Sequence, residues 1–161
     1  MERRLSFDLH VLTARLERIA DRMLRAEHDV SYRRFLALTL VGRLGASTQR
    51  ALADGLGVTE ASVSRMTAVL AGDGLLDVQP EPGGGRRRRL SLTDKGNDLV
   101  AAIQDRLEER FAALVTRSGV PYADFAEHTQ RLLAALEVLD RDDARDVPAL
   151  TASTQADGQP G

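Results

Sequence analysis

Four consecutive arginines, Arg86, Arg87, Arg88 and Arg89, follow three glycines at positions 83–85 in the middle of the chain. A run of like charges is usually a solvated loop, but this one lies between two segments with the patterning of folded elements. Guanidinium groups neutralise phosphates, and glycines let a loop approach a nucleic-acid backbone without Cβ clashes. The run is therefore a candidate contact for DNA phosphates or a narrow minor groove.

A second candidate is the stretch RALADGLGVTEASVSRMTAVL, in which Ala53, Gly57 and Val63 occupy positions five, nine and fifteen of a helix-turn-helix pattern. A small residue at 53 permits a close helix crossing, and glycine at 57 supplies a positive φ at the chain reversal. Val63 fills the angle between the helices, and Thr59 can cap the second helix. The small core is completed by Leu52, Leu56, Val58 and Met66.

Winding the second helix at about 100° per residue gives it one apolar and one polar face. Val63, Met66 and Leu70 face the interior. The outward positions are Ala61, Ser64, Arg65 and Ala68, with Ser62 on the flank. Small side chains let a helix sit deep in the major groove, where serine can reach a phosphate or base edge and arginine can pair with guanine. This face is a candidate for reading base sequence.

The elements that must position these residues are mostly helical. Leu5, Leu9, Leu12, Leu16, Ile19 and Met23 recur at steps of four and three, which predicts a long first helix. The next apolar stretch, SYRRFLALTLVGRLG, fits a helix or a strand. Two short helices, 48–56 and 59–71, precede alternating segments at 76–78 and 90–92 that predict a β-hairpin.

Two further helices follow the hairpin. Thr93 is a plausible N-cap for a helix that carries Leu99, Ile103, Leu107, Phe111 and Leu114 on one stripe and ends near Ser118, before Gly119 and Pro121. Phe125, Leu132, Leu136 and Leu139 mark a last helix. The prediction is a mainly α fold with a small β-hairpin: a winged helix-turn-helix domain plus N- and C-terminal dimerisation helices. The four arginines then belong to the wing.

Composition and motifs exclude several function classes. The chain has 161 residues, a net charge of -2 and no cysteine, so disulfides, thiolate zinc sites and thiol redox sensing are ruled out. No stretch approaches the roughly 18 apolar residues of a membrane span, and MERRLSFDLH lacks a signal-peptide core, so a cytoplasmic protein is expected. The three histidines are scattered, and no phosphate-binding loop ends in GK[ST]. We expect no enzyme activity, no cofactor and no metal.

The order of elements and the sequences LADGLGVTEASVSRMTAVLAGDGLL and LSLTDKG resemble the MarR family of bacterial transcriptional regulators, over residues 5–140. The resemblance implies a homodimer whose first and last helices intertwine and whose winged helices read a palindromic operator in double-stranded DNA. It implies repression relieved by a small aromatic or anionic effector. The expected organisation is a single domain, 5–147, with dimerisation helices at 5–30 and 97–145, a winged helix at 32–96, and a disordered tail at 148–161.

Carried over to this chain, the resemblance assigns DNA contact to Ser62, Ser64 and Arg65 of the recognition helix and to Thr48 and Gln49 at phosphate-contacting positions. The winding of that helix adds Ala61, and the composition of the wing adds Arg86, Arg87 and Arg88. The family's wing usually carries an aspartate that braces the tip arginine, but Gly84 stands there in this chain. We therefore expect a looser tip that binds by the number of its charges.

Two alternatives stay open. The chain can belong to another winged-helix regulator class with a different dimer helix. It can also be a winged helix that contacts protein, whose mark would be an apolar recognition face. Ser64 and Arg65 do not provide such a face.

Overall fold

The computed structural model of the chain describes residues 4–44, 47–81, 83 and 87–145. The elements are α1 (Leu5–His28), α2 (Tyr32–Leu44), β1 (Ser47–Thr48), α3 (Gln49–Leu56), α4 (Glu60–Gly72), β2 (Leu76–Pro80), β3 (Arg88–Leu92), α5 (Asp94–Ser118) and α6 (Tyr122–Arg145). The predicted fold class, mainly helical with a small β-hairpin, is confirmed. The predicted tail, 148–161, lies outside the described residues.

The segment with two open interpretations, around Leu36, Leu38 and Leu40, is helix α2. Phe35, Leu38 and Val41 are buried at steps of three, which is the periodicity of one helix face. The helix begins at a cap, because the Ser31 hydroxyl accepts a hydrogen bond from the Arg34 N–H at 3.2 Å. Ala37 is buried beside them, whereas Leu36 and Leu40, which a strand would place on the same face as Leu38, are only half-buried, so the strand interpretation is wrong.

The helix-turn-helix forms from α3 and α4 as the sequence predicts. The Thr48 hydroxyl caps α3 by accepting from the Ala51 N–H at 3.1 Å, and the Thr59 hydroxyl caps α4 by accepting from the Ser62 N–H at 3.2 Å. Gly57 ends α3 with φ +63°, a conformation that costs glycine little. These local signals fix the two helices at the chain reversal between them.

The sheet contains one more strand than the sequence predicts. Its order is β1-β3-β2, with β3 antiparallel to both neighbours. The hairpin register pairs Leu76 with Leu92 and Pro80 with Arg88, while β1 pairs Thr48 with Arg89. A two-residue strand has no alternation to detect in sequence. Through it, the residue that caps α3 is also paired with the wing.

One hydrophobic cluster joins the helix-turn-helix, the sheet and the neighbouring helices. Leu52, Val63 and Leu90 are each 0% exposed within it, and Ala53 is 3% exposed. Further members are Met23 and Leu24 of α1 and Val100 and Ile103 of α5. The C-terminal part of α1 and the first turns of α5 are therefore anchored in the same core. No helix of the described residues is long and apolar enough to cross a membrane.

Chain contacts divide the molecule into two compact units, Met1–Arg110 and Phe111–Gly161. In the second unit the rings of Phe111 and Phe125 lie 6.2 Å apart and join the end of α5 to α6. Gly119, with φ +78°, follows the last residue of α5, where the sequence predicts that helix to end.

Helix α5 begins at a crowded junction. The Thr93 hydroxyl accepts a hydrogen bond from the Gly96 N–H at 3.0 Å, which confirms the predicted cap. Gly96 is buried, and a Cβ atom placed on it would overlap the carbonyl oxygen of Leu75. The close approach of α5 to the residues after α4 therefore requires glycine at this position.

We predict that Gly96→Ala lowers the free energy of unfolding by about 2–3 kcal/mol, because the added methyl group meets backbone that cannot move aside. Gly72→Ala is the matched control: a Cβ there has no neighbour within 4 Å and φ is not positive. That control should change stability by less than about 1 kcal/mol, in the stabilising direction. Urea unfolding followed by circular dichroism measures both. Equal stability of the two variants would contradict the packing of this junction.

Candidate nucleic-acid interface

The two faces of α4 lie as predicted from its periodicity. Val63 and Leu70 are 0% and 1% exposed, and Met66 is half-buried. Ala61, Ser64, Arg65 and Ala68 are exposed, and Ser62 is half-buried on the flank. The exposed face therefore presents three small or hydroxyl-bearing side chains and one long cation.

Polar contacts at the first turn of α4 set the surroundings of Arg65. The Ser62 and Thr59 hydroxyl oxygens lie 3.0 Å apart, and Arg65 Nη2 donates to Ser62 Oγ at 3.5 Å. A contact at that length is at the weak limit for a hydrogen bond. Arg65 thus rests loosely beside the helix start, and its guanidinium retains donors for a new acceptor.

The predicted phosphate contacts, Thr48 and Gln49, are both half-buried. Gln49 Nε2 donates to the Thr67 hydroxyl at 3.3 Å, and that hydroxyl donates to the Ser64 carbonyl oxygen at 3.1 Å. One amide N–H of Gln49 is therefore directed at the protein and not at a ligand. The amide has a second N–H, which leaves it one donor for another partner.

Thr67 is a residue that sequence reasoning missed. It is 1% exposed, and its hydroxyl connects the first residue of α3 to the interior of α4. Thr67 lies four residues after Val63 and three before Leu70, which places it on the buried face of α4. The helical periodicity of the sequence was therefore sufficient to identify Thr67 as buried. Because the Thr67 hydroxyl bonds the Ser64 carbonyl, this contact helps to orient the helix turn that bears Ser64 and Arg65.

The described wing arginines, Arg87, Arg88 and Arg89, are all exposed. Arg88 pairs with Pro80 and Arg89 with Gln79, and the Glu81 N–H donates to the Arg87 carbonyl at 3.0 Å. Because side chains alternate along a strand, Arg87 and Arg89 share one face, and Arg88 shares the other with buried Leu90. Arg86, Gly84 and Gly85 lie outside the described residues.

Glu81 is an acid within this basic wing. Its register position opposite Arg87 places the two side chains on the same face of the hairpin. Its Oε2 atom is buried and has no hydrogen-bond partner in the part of the chain that the structure describes. Arg87 is the cation that the register places nearest to this carboxylate, so the wing combines a group that attracts phosphate with one that repels it.

The resolved pKa shifts belong to the α1–α2 junction. The Asp21 carboxylate accepts from Arg25 Nε at 2.7 Å and from the Tyr32 N–H at 2.9 Å. The bond from Arg25, followed by that from the Tyr32 N–H, lowers the pKa of Asp21, while burial raises the pKa of Tyr32. These groups connect two helices and belong neither to the exposed face of α4 nor to the wing. Among the described residues no group of three metal-ligating side chains occurs.

Comparisons with known proteins agree with this geometry. Residues 28–87 match the model of the MarR family. A helix-turn-helix-type transcriptional regulator of Mycobacterium bovis is 36% identical over 115 residues, which cover 69% of this chain and 80% of that protein. The family and this relative are transcriptional regulators, which confirms the expectation that the chain is not an enzyme.

Two solved structures share the fold. The DNA complex of MepR from Staphylococcus aureus superposes with a TM-score of 0.67 at 22% identity, covering 86% of this chain and 99% of MepR. NadR in complex with 4-hydroxyphenylacetate gives a TM-score of 0.68 at 20% identity, covering 84% of this chain and 93% of NadR. At these identities the likeness establishes the winged-helix architecture.

We predict that Thr67→Val destabilises the protein by about 1 kcal/mol, because it keeps the volume but removes a buried hydroxyl that serves two partners. Thr116→Val is the control, since the Thr116 hydroxyl is exposed and bonds only the carbonyl of Ala112 in its own helix. The midpoint of urea unfolding distinguishes them. A loss no greater than that of the control would show that the Gln49–Thr67–Ser64 contacts contribute nothing to stability.

Proposed function

Since the chain belongs to the MarR family of transcriptional regulators, we propose that it is a cytoplasmic repressor. It binds a palindromic operator as a homodimer and is released by a small aromatic or anionic effector. The observation on which the proposal rests is the exposed face of α4, where small side chains surround a single cation, Arg65.

The α4 face suits entry into a major groove. Ala61, Ser64 and Ala68 are exposed and short, so the helix axis can approach the base edges closely. Arg65 is held by one weak contact and can exchange it for the O6 and N7 atoms of guanine. Ser62 and Ser64 supply hydroxyls for phosphates or bases. In this arrangement Arg65 reads sequence and the small residues permit the approach.

The wing and the start of α3 supply contacts to the backbone of the DNA. We assign phosphate contacts to Arg86, Arg87 and Arg88 of the wing, of which the structure describes Arg87 and Arg88, both exposed. Phosphate contacts by such cations are strong, independent of DNA sequence and weakened by salt. Thr48 and Gln49 stand at the start of α3 and complete the phosphate contacts, Gln49 through its second amide N–H. These groups orient the protein on the duplex while α4 reads bases.

Exposed apolar side chains support the homodimer. In α1, Leu5 is 68% and Phe7 is 62% exposed; in α6, Leu132 is 67% and Leu136 is 53% exposed. Apolar side chains left exposed along a helix mark interaction sites. We assign dimerisation to the helices within residues 5–30 and 97–145, and DNA reading to 32–96. A twofold dimer places equivalent α4 helices on half-sites about 34 Å apart, which calls for a palindrome.

The proposed effector class is that of a ligand bound to a protein of the same fold. NadR, which shares this fold, has been solved with 4-hydroxyphenylacetate, a small aromatic anion. A molecule of that class would release this repressor if it favoured a dimer whose two α4 helices no longer match the spacing of the half-sites.

We predict that Arg65→Ala and Arg87→Ala weaken DNA binding in different ways. Arg65→Ala should cost about 1–3 kcal/mol on the operator and little on a shuffled duplex, because it removes a base contact. Arg87→Ala should weaken both duplexes alike and lower the slope of log K against log salt by about one, because it removes a phosphate contact. Fluorescence anisotropy over a salt series, with duplexes from the region upstream of the protein's own gene, measures both effects.

Arg131→Ala is the control for that experiment, since this arginine lies on α6 with its side chain 73% exposed. It should leave both affinities unchanged. Equal and feeble binding of the wild type to every upstream duplex and to its shuffled form would contradict the proposal and favour a winged helix that contacts protein.

We predict that the wild type has a solution mass of twice 17.5 kDa and that the pair Leu132→Glu and Leu136→Glu reduces it to the monomer mass. Two carboxylates in an apolar interface carry a desolvation cost that a surface position would not. Light scattering coupled to size exclusion measures the mass. Arg131→Ala on the same helix should remain dimeric. A monomeric wild type would contradict the dimer.

A further inference from the structure

We propose that Lys95 is a positioning residue for the DNA-reading helix: it caps the C-terminal end of α4 and holds that end against the start of α5. The inference rests on the proposed function, because it concerns how precisely α4 is aimed at the operator. Lys95 belongs to no set of predicted DNA contacts.

The contact is a direct hydrogen bond between distant parts of the chain. Lys95 Nζ donates to the carbonyl oxygen of Asp73 at 2.8 Å, across 22 positions of sequence. Asp73 is the C-cap residue of α4. Carbonyl oxygens at a helix C-terminus lack donors within the helix and carry the negative end of its dipole. An ammonium group at this point supplies a hydrogen-bond donor to the carbonyl oxygen and a positive charge at the negative end of the dipole.

The neighbours of Lys95 bind the same turn. The Thr93 hydroxyl donates to the Gly74 carbonyl at 2.7 Å, and the Thr93 N–H donates to the Leu75 carbonyl at 3.3 Å. Gly96 lies against that Leu75 carbonyl. The carbonyls of three successive residues, 73–75, are thus each contacted by residues 93–96. We call this arrangement the α4–α5 clamp.

The position of Lys95 within its own helix supports a role outside it. Lys95 is the second residue of α5, where a cation opposes the helix dipole and lowers the stability of that helix. It is also the only lysine in the chain. A compact ammonium suits one carbonyl oxygen, whereas the guanidinium fork suits two parallel acceptors. The placement is explained by the end of α4 and not by the start of α5.

Position matters because α4 acts as a lever between the clamp and the DNA. From Asp73 back to Arg65 is eight residues, or about 12 Å along a helix. A tilt of about 5° at the clamp therefore moves Arg65 by about 1 Å, which is more than a bidentate contact tolerates. Phosphate contacts made by flexible cations absorb such a shift. Loosening the clamp should consequently reduce sequence discrimination more than overall affinity.

The test uses Lys95→Met, which removes the ammonium, and Lys95→Arg, which keeps a cationic donor, both in the full chain. The ligands are a duplex that the wild type selects from a random pool and its shuffled form. We expect Lys95→Met to reduce the ratio of the two affinities by about three- to tenfold, the scale of one exposed charge-assisted hydrogen bond. The slope of log K against log salt should not change, and Lys95→Arg should recover most of the ratio.

A second measurement, made on the same variants, needs no DNA. Amide hydrogen exchange in the last turn of α4 should be faster in Lys95→Met than in the wild type. Arg117→Met, which removes a cation from the last turn of the same helix α5, is the control and should alter neither exchange in α4 nor discrimination.

Three outcomes would overturn the inference. One is an unchanged affinity ratio in Lys95→Met. Another is equal weakening on both duplexes with a salt slope lower by about one, which would make Lys95 a phosphate contact. The third is unchanged exchange in α4. If the wild type selects no duplex while Lys95→Met still loosens α4, the clamp exists and the proposed function is wrong.

Discussion

The pairing of β3 with strands on both of its sides is the constraint on which the rest of the structure depends. On one side β1 brings Thr48 beside Arg89, and the same threonine caps α3. On the other side β2 leads directly from the turn that ends α4. Leu90, at the centre of β3, is fully buried in the common core. The wing, α3 and α4 are therefore all connected to the same central strand.

Local signals in the sequence were sufficient for the motif itself. Gly57 and Thr59 act through steric and capping effects within a few residues, and the buried positions of α4 follow from its period. Non-local contacts were not predictable in this way. The β1 pairing, the Gln49–Thr67 bond and the Lys95–Asp73 bond join residues 18 or more positions apart. Each depends on how the hairpin returns the chain, which no single segment specifies.

In the proposed function, affinity and selectivity come from different groups. The described wing arginines are exposed and would contact phosphates, and Glu81, opposite Arg87 in the hairpin register, would oppose that attraction. Arg65 lies on α4 among small exposed side chains and would act through the geometry of a base contact. Residues 97–161 carry twelve acidic and six basic residues, so the chain's excess negative charge lies outside the winged helix. A nucleic acid that approaches the protein therefore meets a localised positive surface on a chain whose net charge is negative.

The single lysine also has a practical meaning. An amine-directed reagent finds only one side-chain target in the whole chain, and that target lies at the junction of α4 and α5. A label attached to that side chain through amine chemistry would lie at the end of α4, but it would also replace the ammonium that donates to Asp73. An amine reagent modifies the α-amino group of a chain as well, so the two products would have to be separated. Amine cross-linking would likewise alter this junction before it joined two chains.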